Sequence, residues 1–355
     1  MASQKNLKEI ETALTKARTF IQSKRRSDGL WSDFLTLAGE SIHWVSGYVG
    51  YALISSTNSF AQNTELDGIA LKILQQQNPD GGWGYGPGVP SDADSTSWCL
   101  RFLSKLKVQD SKSKENALAF LLKHQSKLDG GFRTYANPKE IARFMRIGED
   151  ISFVGWSSSQ MCVTAVACQA LMENGSRVGV EEALGFIRKG QAEEGFWNPY
   201  WWSGKLYATL HCMQALKQKG DAKDEQSLSK AQHWITSTQL TDGGWSDALN
   251  QEQSWPFSTA LAIKALLLTL NPKYMEKIAD GIRWLIQSQL SDGSWSPNHI
   301  LRIPYPFMKD PWMQEEWRTD GKAINAAIKD HNRLYTTATA LSALAESKKY
   351  VRGNQ

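Results

Sequence analysis

An all-α fold, an (α/α)6 toroid of six outer and six inner helices, is what this 355-residue sequence predicts, and three observations predict it. A loop of one pattern recurs six times along the chain. The segment before each copy carries its apolar residues on one face, and the segment after it is small and apolar nearly all round. A short unit that cannot bury its own face must stack on its neighbours, so six units in phase mean a closed or stacked array.

The loop is plainest as Gln77-Asn78-Pro79-Asp80-Gly81-Gly82-Trp83, Gln239-Leu240-Thr241-Asp242-Gly243-Gly244-Trp245 and Gln289-Leu290-Ser291-Asp292-Gly293-Ser294-Trp295. Looser copies end at Trp31, Phe132 and Trp197. Their aromatic ends stand roughly 50 residues apart except where segments are inserted, which is a repeat period and not chance. Each residue type has a structural use: glycine permits a positive φ after the helix, Asp accepts backbone amides, Trp packs between units, and Gln ties back to the backbone. These loops therefore read as staples, not chemistry. The period runs from end to end, so residues 1–355 read as a single domain with insertions at 133–155 and 296–331.

The outer helices follow from periodicity. Leu66, Ile69, Ala70, Ile73 and Leu74 fall at the spacing of one helical face. The inner helices show no such face: Met161–Cys168, Thr259–Leu266 and Thr336–Leu344 are small and apolar around most of the circumference, as in helices packed on several sides. All the inner helices begin on one rim, directly after the loops, so a cavity at that rim is lined by the residues that open them. The insertions, one with Glu149-Asp150 and the other rich in proline and aromatics, are expected to shape its mouth or to lie as surface loops.

Composition removes several classes. With 41% hydrophobic residues, a net charge of +4 and no long Lys/Arg run, nucleic acid is excluded as a partner. Cys99, Cys162, Cys168 and Cys212 sit in apolar helical stretches without a CxxC and read as reduced core residues. No metal or cofactor is implied. The polar N-terminus is no secretory signal, and no apolar run reaches the ~18 residues of a membrane span. A cytoplasmic protein is expected, with peripheral membrane contact through the second insertion as the one membrane option.

Fifteen tryptophans exceed the needs of packing and point to an aromatic cavity. Of the six inner-helix openings, only Asp92-Ala93-Asp94-Ser95-Thr96 holds paired carboxylates. Asp, Ser and Thr also cap helices, and that is the competing structural use. A carboxylic acid buried in an apolar cavity beside a second carboxylate keeps its proton at neutral pH, and aromatic faces stabilise a carbocation without offering a nucleophile. Acid at one end and π-walls around it suit the protonation of an alkene.

Here the sequence resembles a family. The six Gln…Asp-Gly-x-Trp loops are similar to the QW repeats of squalene–hopene and oxidosqualene cyclases, and Asp92-Ala-Asp94-Ser95-Thr96-Ser97 resembles the Asp-x-Asp-Asp-Thr-Ala motif of class II terpene cyclases. The resemblance implies Asp94 as proton donor, with Asp92, Ser95 and Thr96 tuning it. Trp44, Tyr48, Trp98, Trp156, Trp202, Tyr207, Trp255, Phe257 and Tyr335 become the expected substrate-binding wall.

There are departures. Ser95 stands where hopene cyclases have Asp, and Met161 aligns with their supporting His. One barrel replaces their two, which looks like single-domain cyclases of shorter or hybrid prenyl substrates such as meroterpenoid precursors. His43 reads as structural, with proton shuttling as the alternative. Protein prenyltransferase β subunits share the toroid and bind zinc, but here Asp247 has no Cys nearby and Ser254–Ser258 no His.

The expected function is a protonation-initiated terpene or meroterpenoid cyclase with a small, hydrophobic, isoprenoid-like substrate. Two other readings stand beside it: acid-catalysed cyclisation of a non-terpenoid carbonyl, imine or epoxide, and a non-catalytic toroid that binds a lipid or a partner.

Overall fold

The computed structural model describes residues 2–57, 64–107, 110–148, 150–246 and 252–353. Glu149 and Asp247 lie outside them. Along the chain, helices alternate between two concentric layers. The outer and inner members are α1 (Ala2–Ser23) with α2 (His43–Ser55), then α3 (Thr64–Gln75) with α4 (Ala93–Leu103). Next come α5 (Ser111–His124), an inserted α6 (Pro138–Met145) and the inner α7 (Met161–Glu173). The last pairs are α8 (Val180–Lys189) with α9 (Lys205–Lys219), α10 (Glu225–Ser237) with α11 (Pro256–Leu267), and α12 (Met275–Gln287) with α13 (Leu334–Gly353).

Each inner helix packs on the next, α2 on α4, α4 on α7, and so on to α13, which returns to α2 and closes the ring. The inner helices are buried on nearly every side, as their all-round apolar sequences require.

The repeated loops hold the layers together by a fixed set of bonds. The indole N–H of Trp31, Trp83, Trp197, Trp245 and Trp295 donates to the carbonyl of Ile21, Ile73, Ile187, Ile235 and Leu285 respectively, always ten residues earlier in the outer helix. The Gln amides of five loops donate twice, once within the loop and once to a carbonyl of the next outer helix or of the residue just before it. In the sixth loop that second acceptor is Ala13 of α1, 3.0 Å away, so the last repeat is sewn to the first.

A glycine is needed where Gly81 sits: its φ is +92°, and a Cβ there would come within 2.6 Å of the Asn116 carbonyl oxygen.

Among the described residues, three two-stranded antiparallel hairpins, absent from the sequence reading, decorate the rim where inner helices start. They are β1 (Asp33–Thr36) with β2 (Gly39–Ser41), β3 (Trp83–Gly84) with β4 (Ser91–Asp92), and β5 (His299–Ile303) with β6 (Ala326–Lys329). The first and third rise beside the cavity described next. The two insertions clasp each other: the amides of Gly155 and Trp156 donate to the Pro306 carbonyl, and the Trp156 indole donates to Pro304.

Candidate active site

The β3–β4 pairing sets the acid motif in place. Trp83, anchored by its loop, stands opposite Asp92, and Asp92 then caps α4. Its two carboxylate oxygens accept the Ser95 amide and the Ser95 hydroxyl, each at 2.7 Å. Two residues on, at the second position of the helix, Asp94 turns inward. Its Oδ1 is buried and has no hydrogen-bond partner among the described residues. What remains accessible of Asp94 opens on a cavity at the rim, a space of roughly 780 Å³ counting the part open to solvent.

The electrostatics of the two carboxyls differ accordingly. Burial pushes Asp92 up to about 6, against the pull of the Ser95 amide and hydroxyl. Asp94 is raised well above the usual carboxylate range, by burial first and by the neighbouring charge of Asp92 second; the guanidinium of Arg101 opposes the rise. A carboxyl with no donor to stabilise its anion keeps its proton at neutral pH. Asp92 accepts from Ser95, whereas Asp94, raised further and without a partner on its buried oxygen among the described residues, is the carboxyl of the two that favours the protonated form.

The cavity wall combines aromatic and aliphatic side chains. Trp44, Tyr85, Tyr135, Trp156 and Trp201 face it, with Ile141 and Met145 from the first insertion and Leu301, Ile303 and Ala323 from the second. Both insertions therefore shape the mouth. Trp201 is locked by its indole, which donates to Thr134 at 2.7 Å and to the Gln160 side chain at 2.9 Å.

Of the expected wall, Trp44 and Trp156 line this cavity, and the others are placed elsewhere. Trp202 stacks on Tyr207 and Tyr48 on Tyr335, both at 3.8 Å. Phe257 lies 5.5 Å from Trp202. With Trp98, whose indole donates to Tyr207, these rings fill the barrel axis as a packed layer behind Trp44. Tyr48 and Trp98 instead border a small separate cavity beyond that layer, with Arg101, His211, Gln214 and Lys264. Trp255 is half-buried at the cap of α11, outside the cavity. Tyr48, Trp98, Tyr207, Phe257 and Tyr335 lie in inner helices and Trp202 just before one, but six inner helices leave too little room on the axis for rings and ligand together.

The geometry bears on three further residues. Thr96 does not tune the acid: its hydroxyl bonds the Trp83 backbone, accepting the amide at 2.9 Å and donating to the carbonyl at 3.3 Å. Thr164, Thr209, Thr259 and Thr337, and Ser46 in the first repeat, accept the same amide in their own units, so the position belongs to the staple.

His43 has both ring nitrogens engaged, with the Gly84 carbonyl at 3.0 Å and the Gln76 side chain at 2.7 Å, which leaves nothing to shuttle a proton. Met161 faces outward against Gly190. The residue of α7 within electrostatic reach of Asp94 is Cys162, whose thiol is held up to about 11, mainly by burial and then by that carboxyl.

Reading the sequence missed Tyr85, Tyr135 and Trp201. Tyr85 and Tyr135 follow within three residues of a loop's aromatic end, and that position was the available signal. All four cysteines are buried and unpaired. Among the described residues, no His, Cys, Asp and Glu gather as a metal ion requires, and no helix is long and apolar enough to cross a membrane.

Comparisons with known proteins agree with this fold. The squalene–hopene cyclase C-terminal domain matches residues 89–308, and the prenyltransferase α/α toroid domain matches residues 3–140. Drimenyl diphosphate synthase of Streptomyces showdoensis is 30% identical over 208 residues, covering 56% of this chain and 34% of that protein. Terpentedienyl-diphosphate synthase of Kitasatospora griseola is 26% identical over 196 residues, 53% of this chain and 33% of that one. The chain thus matches about a third of the length of these relatives.

Among solved structures, the type II terpene cyclase MstE from Scytonema, in complex with the product merosterolic acid A, superposes with a TM-score of 0.88 at 28% identity over 98% of this chain and 99% of that one. Its complex with the substrate geranylgeranyl dihydroxybenzoate gives 0.87 at 28% identity with the same coverage.

Proposed function

Because the chain belongs to the squalene–hopene cyclase C-terminal domain family, we propose that residues 1–355 form one class II cyclase domain that folds and cyclises a prenylated hydrophobic substrate of terpenoid or meroterpenoid type. The observation that carries this reading is Asp94: a carboxyl that burial and Asp92 hold well above the usual carboxylate range, partnerless on its buried oxygen among the described residues, opening on a cavity walled by aromatic rings. MstE, similar over nearly its whole length, binds a substrate of that kind.

In the reaction, the O–H bond of Asp94 breaks and a C–H bond forms at the terminal alkene of the prenyl chain. The cation that results is attacked by the next alkene in turn, closing rings. A proton lost from the last cation balances the one given, so the product is an isomer of the substrate. Each well-placed ring contributes about 1–2 kcal/mol to a desolvated cation, and Trp44, Trp156, Trp201, Tyr85 and Tyr135 occupy that role here. Asp92, made anionic by its two bonds from Ser95, keeps the proton on Asp94 until the substrate arrives.

Entry is from the apolar rim, where Leu37, Phe144, Tyr305, Phe307 and Met313 are exposed on the first hairpin and the two insertions. Such a rim suits peripheral contact with the membrane in which a prenyl lipid dissolves, and co-sedimentation with liposomes tests it.

The central test is incubation with prenylated aromatics and prenyl diphosphates in deuterated water. One non-exchangeable deuterium in a cyclised product is the expected result. Binding without turnover would point to the non-catalytic toroid, and a deuterium-free product would remove Asp94 from the chemistry.

A further inference from the structure

The cavity that holds Asp94 also limits what the other end of the substrate can be. Apart from Asp92 and Asp94, the residues that line it are aromatic, aliphatic or hydroxyl-bearing, and among the described lining residues none is Lys, Arg or His. Of the cations nearest in sequence to the lining, two are committed elsewhere and the rest lie on the exposed surface. Arg302, between the lining residues Leu301 and Ile303, donates to the carbonyls of Pro199 and Pro311. Arg133, beside Thr134, donates to the carbonyls of Lys123 and His124. Arg143, between the lining residues Ile141 and Met145, and Arg146 and Lys322 are exposed residues outside the lining. Arg101 and Lys264 border the separate cavity behind the aromatic layer and are paired with Glu173 and Glu346.

An anionic head group placed in such a cavity would lose its hydration, meet no cation and sit in the field of two carboxyls. A diphosphate carries several negative charges, and one carboxylate carries one. Both need positive side chains or a metal bridged by carboxylates, and no such cluster is formed among the described residues. Hydrogen bonding is different: the Tyr135 hydroxyl lies at the cavity wall with no hydrogen-bond partner among the described residues. It matches a neutral phenol, quinol or carbonyl.

Resting on the cyclase reading above, we infer that the substrate's head group is uncharged, of the prenylated phenol or quinol class, and is neither a diphosphate nor a carboxylate. The chain then differs from its matched relatives named as diphosphate synthases, and from MstE with its benzoate, in the charge of what it accepts.

The test is a charge series on one prenyl chain: geranylgeranyl hydroquinone, geranylgeranyl dihydroxybenzoate and geranylgeranyl diphosphate. Binding is read by tryptophan quenching on the Asp94→Asn variant, and turnover on the unmodified chain. The expected order of affinity is neutral, then carboxylate, then diphosphate, with the diphosphate about 100-fold or more weaker, since uncompensated like charge costs several kcal/mol.

Selective binding of the hydroquinone without turnover would leave the head-group inference standing while the cyclase reading fails. Equal or tighter binding of the diphosphate or the benzoate overturns the inference whichever compound is cyclised, and so does failure of all three to bind. As a converse check, Ala323→Arg at the mouth should bring the benzoate and the diphosphate closer to the hydroquinone. If it leaves the series unchanged, the absence of a cation is not what sets the preference.

Discussion

Two pairs of buried carboxylates stand on the rim where the inner helices begin, and they are built to opposite ends. At the start of α13, Asp33 accepts the backbone amides of Phe34, Asn332, Leu334 and Tyr335, and Asp330 accepts those of Asn298 and Thr336. At the start of α4, Asp92 is likewise occupied by Ser95, but the buried oxygen of Asp94 receives nothing and the residue faces a cavity. Burial raises both members of the first pair, as it raises Asp92 and Asp94. An elevated pKa therefore does not distinguish a reactive carboxyl from a structural one. Hydrogen-bond partners do: donors spent on a carboxylate fix a helix, and their absence beside open space leaves a proton to give.

The largest effect should come from removing the acid. Asp94→Asn is expected to lower turnover by about 10²- to 10⁴-fold, as for a general acid, with thermal stability held or slightly raised because folding at neutral pH no longer has to take up a proton at this site. Steady-state rates alongside a melting curve check both halves.

Asp33→Asn reverses the pattern. An amide N–H would face the Leu334 and Tyr335 amides, costing about 2–4 kcal/mol of stability in denaturant titration, while turnover per folded molecule stays near the parent's.

The third prediction concerns pH. Asp92 has a folded-state value near 6, above the ordinary value near 4, so the folded state binds its proton more tightly than the unfolded one. Its contribution is fully present below about pH 4 and is lost as pH rises to about 6, a change on the order of 2–3 kcal/mol. In Asp92→Asn that part of the pH–stability slope should disappear, whereas Ser95→Ala should keep the slope and shift its upper end to higher pH.

The smallest effect is at Thr96. Thr96→Val removes the bonds to the Trp83 backbone and should cost about 1 kcal/mol of stability, with kcat unchanged. A large fall in kcat at full stability would return this residue to the acid.

How legible this was in the sequence depends on what each residue answers to. The loops and both helix layers could be read because their signals repeat: Gln289, Asp292 and Trp295 each have counterparts in other units, and periodicity filters accident. The paired carboxyls could be read because Asp92 and Asp94 break the pattern of inner-helix openings. The cavity wall could not, because Trp201 and Trp202 are neighbours of the same type, and only the packing of six helices decides that one faces the cavity and the other fills the axis. Thr96 misled for a related reason: a hydroxyl beside two carboxylates suggests chemistry until it is seen to recur in every repeat. The rim hairpins escaped because strands of two to five residues carry no period to find.

The account stands on the protonation state of one side chain, and infrared difference spectroscopy between the parent protein and Asp94→Asn at neutral pH reads it directly. A carbonyl band of a protonated carboxyl, present in the parent and missing from the variant, is the expected result, with the bands of the Asp33 and Asp330 pair cancelling between the two. A carboxylate band in its place would mean that Asp94 is ionised at rest and cannot deliver the proton that starts the reaction.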